Sequence, residues 1–189
     1  MKYVKMLGLL AVAAAALMAF AGTASATQLT SPAGTNYTGE IKASAGLTEL
    51  HGEAFSVNCK TSQVAGTVSQ HGSGVTVKGS IATLDFSECS FPVTVLANGS
   101  LEAHKPSGSS NGTLTSSEAK ITIHGPFGIN CLYETNGTDV GTLTPGTTAK
   151  LDIDSSLIPR TGDSAFCGAA GEWTGSYTVN TPDTLLIDA

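Results

Sequence analysis

At 189 residues, with nine Lys and Arg against fifteen Asp and Glu, the chain carries a formal net charge of −6. That sign argues against nucleic acid and anionic membranes, which draw cationic surfaces, and the cations stand singly with no basic patch. Charged residues are sparse while Thr, Ser and Gly abound, so long amphipathic helices are not expected.

The chain opens with Lys2 and Lys5, runs apolar through residues 6–21 and reaches Ala24-Ser25-Ala26. A cationic start, an apolar run and a small-x-small close form the pattern that signal peptidase reads. Residues 1–26 are therefore expected to be a signal peptide, and residues 27–189 the mature domain. The alternative, an uncleaved anchor, suffers from the length of the run: 16 residues against the roughly 20 that span a bilayer core. Cleavage removes Lys2 and Lys5 and no acid, leaving seven cations against fifteen acids and a net charge near −8. No Cys stands at the cleavage site to carry a lipid, and Thr184-Leu185-Leu186-Ile187 is too short for a hydrophobic tail. The mature protein is expected to be secreted, free or held non-covalently at a cell surface, with no stable membrane insertion.

From Tyr37 onward the pattern is alternation. Val75 and Val77 share a face, as do Ala82, Leu84 and Phe86, then Ile121 and Ile123, then Leu151 and Ile153, then Trp173, Tyr177 and Val179. Period two with β-branched residues means half-buried strands. Between them lie Gly72-Ser73-Gly74, Asn98-Gly99, Asn111-Gly112, Asn136-Gly137 and Pro145-Gly146, the residues of tight turns. The expectation is an all-β fold: an antiparallel sandwich or barrel of about ten to twelve short strands. Residues 155–169 lack alternation and read as a loop or a short helical turn.

An internal repeat stands out. His51-Gly52 followed by Phe55-Ser56-Val57-Asn58-Cys59 resembles His124-Gly125 followed by Phe127-Gly128-Ile129-Asn130-Cys131. Downstream, Val64-Ala65-Gly66-Thr67-Val68 matches Val140-Gly141-Thr142-Leu143, and Leu84-Asp85-Phe86 matches Leu151-Asp152-Ile153. Each copy, residues 37–97 and 112–180, then holds a second cysteine. The ordered matches point to duplication of one β-unit; two copies are too few for a solenoid.

An even set of four cysteines in an exported chain reads as two disulfides. The repeat itself is compatible with all three pairings. If one copy once folded alone it needed its own bridge, which selects Cys59–Cys89 and Cys131–Cys167. No Cys-x-x-Cys and no His at ligand spacing from a Cys supports a metal or redox site instead.

The order of these features resembles a group of uncharacterised small secreted proteins from soil actinobacteria. The likeness is carried by Leu29-Thr30-Ser31-Pro32-Ala33-Gly34-Thr35, the Phe-x-x-Asn-Cys units, residues 111–117 and Glu172-Trp173-Thr174-Gly175-Ser176-Tyr177-Thr178-Val179, and it implies no activity. A fainter likeness, over residues 26–32 and the Thr-rich strands, is to small exported proteins described as activators of alkane oxidation.

Catalytic constellations are poorly represented. There is no Gly-x-Ser-x-Gly elbow, no His-Glu-x-x-His and no phosphate loop; His51 and His124 hold matching places in the two copies and read as strand-end elements. Asp85, Glu88, Asp152 and Asp154 are the carboxylates from which a glycosidase pair would be drawn. Asp152 and Asp154 lie two apart on one strand and are weak Ca²⁺ candidates, with a solvated sheet face as the plainer reading. Trp173 and Tyr177 form an aromatic strip, either a stacking surface for a sugar or a core anchor. Asn36, Asn98, Asn111 and Asn136 open glycosylation sequons, three of them within Asn-Gly turns.

No cofactor is expected. The expected role is non-enzymatic, a structural or interaction protein outside the cell whose partner is an extracellular protein or a glycan. Self-association by strand addition is expected at residues 28–34 or at Leu185-Leu186-Ile187. The alternatives are a glycan- or small-ligand-binding module, and then a glycoside hydrolase.

Overall fold

A computed structural model describes residues 26–32, 34–53, 55–71, 76–159 and 165–188. The segment expected to be a signal peptide, except Ala26, and the Gly72-Ser73-Gly74 turn with Val75 lie outside the described residues. Twelve strands run in chain order: β1 Gln28–Thr30, β2 Glu40–Ala45, β3 Thr48–His51, β4 Ser56–His71, β5 Thr76–Cys89, β6 Val93–Ala97, β7 Ser100–His104, β8 Gly112–His124, β9 Asn130–Thr144, β10 Lys150–Pro159, β11 Gly171–Thr181 and β12 Leu186–Asp188. Two 3-10 turns, Pro126–Gly128 and Ala165–Cys167, interrupt them.

The barrel strands pair antiparallel in the ring order β4, β5, β7, β8, β9, β10, β11, and β11 returns to β2 and β3, which pair with β4, so the sheet closes on itself. The ring has eight positions, because two of them are each filled by two collinear strands. β2 pairs with Ser62–Thr67 of β4 and β3 with Ser56–Cys59, so the pair reads as one strand broken at Gly46-Leu47. β7 and β6 likewise divide the edge of β8, broken at Asn98-Gly99. The expected fold class holds, and its barrel alternative is the one adopted. Closure satisfies most of the backbone groups that an open sheet would leave at its edges, the exception being the seam between β6 and the later half of β5, where no ladder forms.

The strands differ from expectation in length. β4, β5, β8 and β9 have 16, 14, 13 and 15 residues. The described part of the first short run, Thr76–Lys78, and the run Ala82–Ser87 belong to the single strand β5, and β10 continues through residues 155–159. The cause is that Asn-Gly and Gly sites serve as bulges rather than hairpins. Asn136-Gly137 sits inside β9 opposite Ser117, where the register shifts. Ser116 Oγ and Thr135 Oγ1, 2.9 Å apart, are buried there, and Thr135 accepts from the Ala119 N–H at 3.1 Å.

Inward residues alternate as read at Leu84, Phe86, Ile121, Ile123, Leu151, Ile153, Trp173, Tyr177 and Val179, all buried; Ala82, read on the same face as Leu84, is instead exposed, because a bulge in β5 between Ile81 and Thr83 breaks the alternation there. One end of the barrel is covered by β1 and β12, which pair with each other and bury Leu29, Leu185 and Ile187. The two segments expected to add to a partner's sheet are thus joined to one another over the barrel mouth. Lys105 fixes this cap, its Nζ donating to the Ile187 carbonyl at 2.9 Å and its N–H to Thr27 Oγ1 at 3.0 Å.

The opposite end holds both staples. Cys59–Cys89 and Cys131–Cys167 are bonded as expected, the first joining facing residues of β4 and β5. Tyr133, fully buried, donates its hydroxyl to the Cys167 carbonyl at 2.8 Å.

Candidate functional site

The candidate site is inside the barrel, not on it. Ala43, Gly66, Gly79 and Ala103 line the interior on successive strands, and their small side chains leave space in front of them. A cavity of about 80 Å³ results, bounded also by Leu29, Val68, Val77, Leu114, Leu143 and Leu185. Ile41, Val64, Ile81 and Leu101 also border this space and are partly buried. Gly66 is obligatory: a Cβ there would sit 2.4 Å from the Ser80 carbonyl oxygen. At its rim the cavity meets Thr67, Lys78 and Ser80. Thr67 Oγ1 and Ser80 Oγ lie 3.3 Å apart, and Lys78 Nζ is paired with Glu102 at 2.7 Å.

Two smaller voids continue toward the stapled end. One of about 20 Å³ shares Val64, Ile81, Leu101 and Leu151 with the first and adds Ala119, Val140, Trp173 and Tyr177. One of about 10 Å³ shares Leu84, Ala119 and Trp173 with the second and ends among Phe86, Tyr133 and Leu157. Polar groups are few. The Tyr177 hydroxyl donates to Ser62 Oγ at 2.8 Å, and Ser62 donates to the Asp85 carbonyl at 2.7 Å. Burial pushes the Tyr177 phenol up to about 12, partly offset by Ser62 and the neighbouring Trp173 indole. The buried Trp173 Nε1 and Thr48 Oγ1 make no hydrogen bond of ordinary geometry.

The aromatic strip is therefore placed differently from its reading as a sugar-stacking surface. Trp173 is 8% exposed and Tyr177 fully buried. Trp173 meets Phe86 and Tyr177 edge-on, with ring centroids 5.5 and 6.0 Å away. The reason is the parity of β11: Gly171, Trp173, Tyr177 and Val179 take the inner face, and Glu172, Ser176 and Asn180 the outer one.

The carboxylates are dispersed. Asp85 and Glu88 lie on β5, and Asp152 and Asp154 on β10, four positions round the ring, all four exposed. No pair drawn from one strand and the other faces across a cleft, so the geometry a glycosidase pair requires is not formed by these residues. Asp152 Oδ1 accepts from Ser176 Oγ at 2.5 Å. Among the described residues no three His, Cys, Asp or Glu are grouped to hold a metal ion. His51 and His124 clasp the next strand: His51 Nδ1 meets Ser56 Oγ at 2.5 Å, and His124 Nδ1 meets Asn130 Oδ1 at 2.6 Å.

The cavity residues Ala43, Gly66, Gly79 and Ala103 were not singled out by sequence. The available signal was small residues at inward-facing strand positions, which has meaning only once the ring is closed.

Compared with known protein families, curated proteins and solved structures, the chain matches none. Among the described residues no helix is long and apolar enough to cross a membrane.

Proposed function

We propose that this is an exported, non-enzymatic binding protein that holds a small apolar molecule inside its barrel. The observation that carries the reading is the apolar cavity beneath the β1–β12 cap. Eight-stranded barrels either fill their interior with side chains or hold one small ligand, and this one leaves a level unfilled. At about 24 cal/mol per Å³, an empty space of about 80 Å³ costs roughly 2 kcal/mol, which a ligand would recover. Export is supported by the leader-like first 26 residues and by two disulfides, a bond type that persists in oxidising compartments.

The test is a thermal-shift and methyl-NMR screen with small apolar compounds. Binding should raise the melting temperature and move the Leu101, Ala103 and Leu114 methyl resonances. Ala103→Leu, which fills the cavity, should abolish both effects while the protein stays folded. A full panel that leaves wild-type melting and resonances unchanged would overturn the reading.

One observation favours a second reading, an interaction protein that accepts a partner's strand. β6 pairs with β8, yet no ladder joins it to residues 81–89 of β5, and the seam is pinned only at its upper end. There Asn98 Nδ2 donates to the Ala82 carbonyl at 2.7 Å and the Ile81 N–H to the Gly99 carbonyl at 3.1 Å. Free strand edges recruit extended chains. Concentration-dependent dimers in sedimentation, with protection of amides 84–88 and 93–97 from exchange, would support it; a monomer with unchanged exchange at high concentration would remove self-association.

The barrel is also taken as two copies of one four-strand unit. Supporting this, β3, β4 and β5 lie four ring positions from β8, β9 and β10, their sequence matches. Gly66 and Gly141 hold the same relation to the next strand, with a Cβ falling 2.4 Å from the Ser80 oxygen and 2.0 Å from the Asp152 oxygen. In that register Ile81, not Phe86, corresponds to Ile153.

A further inference from the structure

Four loops lie at the stapled end of the barrel: residues 52–55, 90–92, 125–129 and, in the described part of the last, 165–170. Each carries one phenylalanine: Phe55, Phe91, Phe127 and Phe166. The chain has six phenylalanines, so only Phe20, in the leader-like segment, and Phe86, in the core, lie elsewhere. Phe55 and Phe91 are half-buried and meet edge-on, with ring centroids 6.2 Å apart. A Cβ on Gly125 would fall 2.7 Å from the Phe55 ring, so that ring packs against the turn that carries Phe127. The other two point to solvent: Phe127 is 102% exposed and Phe166 62%.

The exposure of Phe127 is built into the loop. The Gly125 N–H donates to the Ile129 carbonyl at 2.8 Å and the Ile129 N–H to the Pro126 carbonyl at 3.2 Å, while His124 and Asn130 clasp the base of the turn. Phe127 sits there at φ 58°, ψ 23°. Glycine or asparagine takes this left-handed conformation at little cost, and a bulky side chain does not. Backbone strain and exposure of a large apolar ring thus coincide at one residue, and neither serves packing within the barrel. Such coincidences mark function.

Charge and area decide what meets this end. Among the described residues of the four loops, Glu53 is the only charged side chain. No cation there attracts an anionic partner, and the net charge of −6 repels one. The two exposed rings offer roughly 300 Å² of apolar surface, against the roughly 800 Å² per partner of a stable protein interface. A second copy docked end to end would therefore be short of area. A lipid surface sets no such threshold, because each ring that enters it leaves water independently. The outer wall of the barrel holds Asp85, Glu88, Asp152 and Asp154 in solvent, so contact stops at the loop tips.

We propose that the stapled end docks reversibly on a lipid surface with zwitterionic headgroups, Phe127 and Phe166 entering the boundary between headgroups and acyl chains. This surface lies opposite the capped cavity, so it stands or falls independently of the apolar-ligand reading.

Flotation with phosphatidylcholine vesicles tests it, on protein recovered after export. The wild type should float with the vesicles at low and high salt alike, and replacing half the lipid with phosphatidylglycerol should weaken binding at least threefold. Phe127→Asn with Phe166→Ser should lower the partition coefficient at least tenfold. Phe127→Asn alone should lower it while raising the melting temperature, because asparagine relieves the left-handed backbone. Phe127→Trp should bind as the wild type does, its emission moving to shorter wavelength on the vesicles. Flotation only with phosphatidylglycerol, or flotation undiminished in the double variant, would overturn the proposal. Failure of the wild type to float would overturn it in favour of a pocket on a protein partner. Dimers in lipid-free sedimentation that the double variant abolishes would overturn it in favour of a second copy.

Discussion

Tyr177 is the residue at which core and chemistry meet most closely. Its phenol is buried, bonded to Ser62 and shifted up to about 12 from an ordinary 10. A folded value above the unfolded one means that the neutral form is favoured by folding. The associated stability is fully present below pH 10 and lost as pH rises toward 12, about 2–3 kcal/mol in all. Denaturation followed across that window should show the loss, and Tyr177→Phe should flatten it while costing about 1 kcal/mol at neutral pH. Gly141 is the sharper case. Its φ is +156° and a Cβ would lie 2.0 Å from the Asp152 carbonyl oxygen, so Gly141→Ala should destabilise by about 3 kcal/mol or more in a urea titration. At this scale the sequence was legible where parity alone decides. Leu84, Phe86, Leu151 and Ile153 face inward as their alternation requires, and Asp85 and Asp152 face outward. It was not legible for Trp173, because alternation tells that Trp173 and Tyr177 share a face but not which face lies inside.

Among the elements, the staples carry the clearest expectation. The bridges close loops of 30 and 36 residues, worth about 3–4 kcal/mol each on chain-entropy grounds. Cys131→Ala with Cys167→Ala should lower the urea midpoint accordingly, and Cys59→Ala with Cys89→Ala by a similar amount. The even cysteine count pointed to two bridges, but the repeat allowed all three pairings, and the pairing followed only from the further step that each copy, folding alone, needed its own bridge. Strand lengths were not. Asn-Gly has the backbone freedom for a hairpin, and the same freedom serves a bulge. Only the pairing partner decides, and for Asn136-Gly137 that partner is a bulge in β8. The breaks at Gly46-Leu47 and Asn98-Gly99 likewise became visible only as two strands sharing one neighbour.

In the whole molecule, the cavity and its cover belong together. Deleting residues 184–189 removes Leu185 and Ile187 from the barrel mouth. The truncated protein should stay β-rich by circular dichroism but release a small apolar compound bound in the screen at least tenfold faster in a stopped-flow experiment. The cavity itself was beyond sequence reading, since it consists of volume that Ala43, Gly66, Gly79 and Ala103 fail to fill, brought together around one space by closure of a ring. That closure has a further consequence, in time rather than space. The ladder that seals the ring joins Ala43 to Val179, so nearly the whole chain must be synthesised before its first barrel strand acquires its second partner. Until then two edges stand open, and the contacts that finish the structure are the most distant in sequence. Refolding of the oxidised chain should therefore fall in the millisecond-to-second range of high-contact-order β proteins, and a nascent chain ending before residue 171 should remain open to capture by other strands.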